Sequence, residues 1–156
     1  MTSPPRGAGW LVDASVALKW FLPVEREPNG ELARSAIGQL AMRTTTLATY
    51  EVGNILVRQS GWKADQIAAA LDLLQEICGD PLPLIPDDYH ATAQLALEHG
   101  LTFYDASYAA IATRSGRILL SADEDLLKPR LAVTLNDALP PLDPDEPEPG
   151  VVAGDD

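Results

Sequence analysis

A chain of 156 residues that is 46% hydrophobic is one domain's worth of sequence, with enough apolar material for a core. Its 11 Lys and Arg stand against 23 Asp and Glu, a net charge of −12 that excludes nucleic-acid binding by general attraction. A polyanionic partner then needs a local positive patch or bound metal ions to reverse the field. The lone cysteine, Cys78, excludes a disulfide framework and a Cys-rich zinc site, and reads as a buried core thiol.

In chain order, residues 1–9 read as a flexible N-terminus without the apolar stretch of a secretory leader. Residues 10–12 form a short strand. Asp13 follows, then a helix over 14–21 that Pro23 stops. Residues 31–42 are helical, the Thr-rich 43–47 a strand, and 48–60 a helix closed by Gly61. Apolar spacing at Ile67, Ala70, Leu71, Leu74, Ile77 and Cys78 predicts a helix over 63–78. A strand over 82–85 lies between prolines. Helices over 87–99 and 105–115 end at Gly100 and Gly116. A strand over 118–121, a short helix over 123–128 and a strand over 131–134 complete the body. The end, 140–156, holds six acids, five prolines and no base, and reads as a disordered tail. No apolar run approaches the roughly 20 residues of a membrane span, so a cytoplasmic protein is expected.

Strands separated by helices predict an α/β domain over 10–139 with a central parallel sheet of about five strands. In such sheets ligands bind beyond the carboxyl ends of the strands. Asp13 directly follows the first strand and Asp123 the 118–121 strand. Glu51 lies in the first turns of the helix after the Thr-rich strand, and Asp105 opens the helix after residues 101–104. Taken singly, Asp13, Asp105 and Asp123 read as helix caps, and Ser121 with Glu124 fits a capping box. Capping does not account for Glu51, nor for four carboxylates on one edge. Carboxylates gathered in one cleft repel, and burying them unpaired is costly. A hard divalent cation such as Mg²⁺ or Mn²⁺ removes that cost. Other chemistry lacks support. His90 and His99 are nine apart on one helix and do not face each other, and the phosphate-cradling Gly-rich motifs and the G-x-S-x-G elbow are missing.

Four runs together carry a family resemblance: Leu11-Val12-Asp13-Ala14-Ser15-Val16, Tyr50-Glu51-Val52-Gly53-Asn54-Ile55-Leu56, Leu101-Thr102-Phe103-Tyr104-Asp105-Ala106-Ser107-Tyr108 and Leu120-Ser121-Ala122-Asp123-Glu124-Asp125-Leu126. In this order the chain resembles PIN-domain proteins, and within them the VapC-type toxins of bacterial toxin–antitoxin pairs, over about residues 11–135. The resemblance implies an α/β/α sandwich and a Mg²⁺-dependent endoribonuclease, with Mn²⁺ able to substitute, that leaves 3′-hydroxyl and 5′-phosphate ends. It implies a homodimer and a cognate antitoxin docked near the 63–78 helix and the one before it. Carried over, Asp13, Glu51 and Asp105 are primary metal ligands, Asp123 completes the quartet, and Ser15 and Ser121 support them. Asp125 either substitutes for Asp123 or sits in solvent, with solvent the favoured reading, and Leu126 stands where the family often has an aromatic residue. Lys19, Arg43, Arg58, Lys63, Arg114 and Lys128 are candidate cations for RNA, whose form is expected to be a structured, single-stranded loop. The competing readings are a PIN-like module that only binds protein and a housekeeping nuclease without an antitoxin. An aspartate-nucleophile phosphatase fits poorly, because Asp13 lacks an Asp two residues later.

Overall fold

The computed structural model describes residues 9–23 and 25–139. The expectations for residues 1–8 and for the tail fall outside them. Three parallel strands form the sheet: β1 (Trp10–Val12) at the centre, β2 (Met42–Arg43) on one side and β3 (Ile118–Leu120) on the other. Trp10 and Leu11 pair with Met42 and Arg43, and Trp10, Leu11 and Val12 with Ile118, Leu119 and Leu120.

The sheet has three strands rather than about five. The segments expected as the other two are each reduced to one bridge, Thr45 with Leu82 and Leu120 with Val133. At the first edge, Leu82 exchanges bonds with Thr44 and Thr46 (2.9 and 3.0 Å). Its neighbours Pro81 and Pro83 have no N–H to extend the ladder. At the other edge, Val133 bonds Leu119 and Ser121 (2.9 and 3.1 Å), and Thr134 at once turns to cap a helix.

The helices are α1 (Ala14–Ala17), α2 (Gly30–Ala36), α3 (Thr46–Arg58), α4 (Ala64–Cys78), α5 (Tyr89–His99), α6 (Phe103–Arg114), α7 (Glu124–Leu127) and α8 (Leu135–Ala138). The helix expected over 14–21 tightens into a 3₁₀ turn at Leu18–Trp20. The one expected over 31–42 stops at Ala36, where Gly38 at φ 84° redirects the chain into β2. The Thr-rich strand ends early because Thr45 caps α3, its side chain accepting from the Ala48 N–H.

Side chains alternate across the strands and divide the core in two. Val12 and Leu120 face one cluster with Val16, Trp20, Val52, Leu56 and Leu74. Leu11 and Leu119 face another with Tyr108, Ile111, Ala112 and Leu126. Helices thus cover both faces. α6 is buried nearly all round, from Ala106 to Ala112, so its polar residues cannot simply face water. Cys78 is 1% exposed, and burial pushes its thiol up to about 12, which leaves it unreactive.

The chain leaves β1 for β2 on one side, then crosses to β3 on the other. The ends of β1 and β3 therefore meet at a topological switch point, where open parallel sheets bind ligands.

Candidate functional site

Asp13 extends the ladder by one residue, its N–H donating to the Leu120 carbonyl (3.2 Å). The carboxylate is buried, 4% exposed. Oδ1 accepts from Ser15 Oγ (2.6 Å) and the Val16 N–H (3.2 Å), so Asp13 also caps α1. Oδ2 accepts from Ser121 Oγ. The two serines are tied in turn to the segment after β3. Ser15 Oγ accepts from the Ala122 N–H and Ser121 Oγ from the Asp123 N–H, both at 2.9 Å. The capping box read at Ser121 does not form: Asp123 is the cap of α7, its Oδ1 accepting from the Asp125 N–H (2.9 Å). Ser121 is thereby free to hold Asp13.

Asp105 sits within the first turn of α6, not at its start. Thr102 is the cap, its hydroxyl accepting from the Asp105 N–H (3.1 Å) and also bonding the Asp105 carboxylate, which opposes the rise that burial imposes on it. One turn on, the buried Tyr108 donates its hydroxyl to Glu51 Oε1 (2.7 Å). Sequence reasoning assigned Tyr108 no role. Its three-residue spacing from Asp105 on one helix face was the available signal.

Carboxylate oxygens of Asp105, Asp123 and Asp125 lie within 4.8 Å of one another. Asp125, expected in solvent, is exposed yet joins the cluster because the tight turn of α7 brings it back over Asp123. Asp13 and Glu51 are not in that trio but feel it. Asp13 is pushed up to about 6, by burial first, against the pull of its hydrogen bonds and with the Asp123 charge adding. Burial raises Glu51, with Tyr108 opposing and Asp105 and Asp123 adding. Burial raises Asp105 too, and the Asp123 and Asp125 charges add to it. Asp123 thus acts on all three of the other expected ligands.

No Lys or Arg nitrogen lies within 4.0 Å of these five carboxylates among the described residues, where the ion pairs are Lys19–Glu27 and Arg114–Asp88. Arg43 is also engaged, donating to the Asp80 carbonyl (2.6 Å). Of the six candidate cations, Arg58, Lys63 and Lys128 stay exposed without such ties. An all-oxygen, uncompensated donor set fits a hard divalent cation, the one partner that removes the repulsion without a basic side chain. His90 and His99 lie exposed on α5, which carries none of the site acids.

The fold and the site together define a parallel α/β domain with a cluster of unpaired carboxylates at its switch point. The chain belongs to the PIN domain family, whose model matches residues 10–130. It is 34% identical over 120 residues to Ribonuclease VapC3 of Pyrobaculum aerophilum, covering 74% of this chain and 90% of that protein. It is 37% identical over 81 residues to Exonuclease VapC9 of the same organism, which is 52% of this chain and 61% of that one. Among solved structures, a toxin–antitoxin complex from Klebsiella pneumoniae superposes with a TM-score of 0.64 at 16% identity, over 80% of this chain and 96% of that one. At that identity the likeness speaks for the fold.

Proposed function

We propose that the chain is a divalent-metal-dependent endoribonuclease, the toxin of a toxin–antitoxin pair. The observation that carries this reading is the unpaired carboxylate cluster at the switch point of a PIN-family fold. The relative named a ribonuclease supports the activity, and the neighbour solved as a toxin–antitoxin complex supports the partner.

Asp105 and Asp123, with Asp125 beside them, would hold the ion, and Asp13 and Glu51 would complete its surroundings. Mg²⁺ or Mn²⁺ bound there would activate water near neutral pH and neutralise charge on the phosphate. The protein's part is to fix the oxygens. Ser15 and Ser121 hold both oxygens of Asp13 and tie β1 to the segment carrying Asp123. Tyr108 holds Glu51, and Thr102 holds the first turn of α6 and the Asp105 carboxylate on it. Burial and the Glu51 charge push the Tyr108 hydroxyl up, so it remains a neutral donor. With water as the nucleophile, cleavage leaves 3′-hydroxyl and 5′-phosphate ends. The antitoxin would dock along α3 and α4, where Tyr50, Val57 and Leu73 are exposed. We assign the working form to a cytoplasmic homodimer.

The test is cleavage of closed circular RNA with Mg²⁺ and with chelator. A circle has no ends, so cutting it requires an endonuclease and separates this reading from the exonuclease activity named in the second relative. Parent protein is expected to open the circle only with metal, and Asp13→Asn, Glu51→Gln and Asp105→Asn to lose most of that activity while staying folded. An intact circle under all conditions would overturn the endonuclease; degradation of the same RNA once linearised would then mark an exonuclease, and intact linear RNA a protein-binding module.

A further inference from the structure

Beside the carboxylates lies a cleft of about 540 Å³ that the chemistry above does not use. Its volume falls in the roughly 300–1,000 Å³ range of ligand pockets. Ser15 and Ser121, the two hydroxyls on Asp13, line it, so cleft and site share a wall. We propose that this cleft is a nucleobase pocket, holding one unpaired base of the RNA next to the phosphate that is cut. The proposal rests on the ribonuclease reading and adds how the substrate is chosen.

The lining has two parts. Buried Val16, Lys19 and Leu135 form the floor, and half-buried Leu18 and Leu127 flank it. These offer apolar contact to the face of a base. Asn29, Glu124 and Asn136 are exposed at the rim. Asn29 precedes α2 in the left-handed conformation (φ 63°), and its side chain makes no capping bond. At the start of α8 the capping bonds belong to Thr134 and Asp137, and Asn136 takes no part in them. Both amides thus keep a donor and an acceptor, the combination that reads base edges. Lys19 Nζ donates to the Pro28 carbonyl (2.6 Å) and Glu27 Oε2 (3.3 Å). An ammonium has three hydrogens, and the third has no acceptor among the described residues. A carboxylate at the rim and an ammonium on the floor suit a base edge that presents an N–H beside a carbonyl, as guanine and uracil do.

Charge supports a base pocket over a phosphate groove. The chain carries −12, and no basic side chain pairs with the site acids among the described residues. Phosphate contacts position nucleic acid through Lys and Arg, whereas unstacked bases are read by hydrogen bonds and apolar contact. An acidic nuclease gains affinity most readily through the neutral part of the nucleotide.

The test cuts a pool of single-stranded RNA with a randomised segment, using the full chain with Mg²⁺, and sequences the ends. Parent protein is expected to favour guanine or uracil by about tenfold at one position flanking the cut. Asn29→Gly, which keeps the left-handed turn, and Asn136→Ala are expected to lower that preference to threefold or less. Both should hydrolyse bis(p-nitrophenyl) phosphate, a phosphodiester without a base, at the parental rate. Cleavage without base preference, or preference unchanged in both variants, overturns the pocket and leaves the nuclease reading standing. A parent that cleaves neither RNA nor the phosphodiester overturns both. A protein side chain found seated in the cleft, with RNA cleavage unaffected by its presence, would assign the cleft to that partner and overturn the pocket.

Discussion

Without metal, mild acid should stabilise this protein rather than weaken it. Asp13 titrates at 3.8 in an unfolded chain and at about 6 in the fold, because burial outweighs its hydrogen bonds. Between those values the folded state binds more protons than the unfolded state, so stability falls as pH rises through that window. At about 1.4 kcal/mol per pH unit, the full rise corresponds to about 3 kcal/mol. About 1 kcal/mol of it is lost between pH 5 and pH 7. Glu51 and Asp105 are also raised, so they act in the same direction. Urea unfolding in EDTA at pH 5, 6 and 7 should therefore show a declining midpoint. Asp13→Asn keeps the shape but cannot titrate there, and its decline should be shallower by about 1 kcal/mol. Mg²⁺ should reverse the order, since it binds the ionised cluster: an ion at 100 times its Kd adds about 2.7 kcal/mol, more than Asp13 withdraws. Metal-free stability that climbs from pH 5 to pH 7, or a slope in Asp13→Asn equal to the parent's, would refute the reasoning.

Tyr108→Phe removes the bond that holds Glu51 down, so the acid limb of the pH–activity profile should move to higher pH while circular dichroism stays native. Asp123 bears on Asp13, Glu51 and Asp105 alike, whereas Asp125 is exposed at the edge of the trio. Asp123→Asn should therefore cost at least tenfold more activity than Asp125→Asn, and equal losses would make Asp125 the fourth ligand. Val57→Glu with Leu73→Glu should weaken antitoxin binding by at least tenfold in a titration and leave RNA cleavage intact. An unchanged antitoxin affinity would place the partner elsewhere.

The sequence carried the helices better than the strands. The helix expected over 63–78 is α4 within one residue, because its apolar spacing is unbroken and Gly79 ends it at φ 70°. The strand expected over 43–47 depended on threonine's β preference. Thr44 instead donates its hydroxyl across to the Val12 carbonyl at the end of β1 (2.7 Å), and Thr45 spends its own locally as the cap of α3. The edge segments fail as strands for backbone reasons, missing proline donors at Leu82 and the cap at Thr134. At the site, acids just after strands were legible, since the parallel sheet dictates where its strands end. The support was not: Tyr108 reaches Glu51 across 57 residues of sequence, and Asp125 joins through a turn too short to show periodicity.

The most direct measurement is the chemistry of the ends produced when the purified full chain cuts RNA with Mg²⁺, run beside Asp105→Asn. Water delivered at a carboxylate-held ion leaves 3′-hydroxyl and 5′-phosphate ends, requires the cation, and is lost in the variant. Ends carrying a 2′,3′-cyclic phosphate, or equal cutting in chelator and in Asp105→Asn, would contradict a metal-dependent nuclease built on these carboxylates.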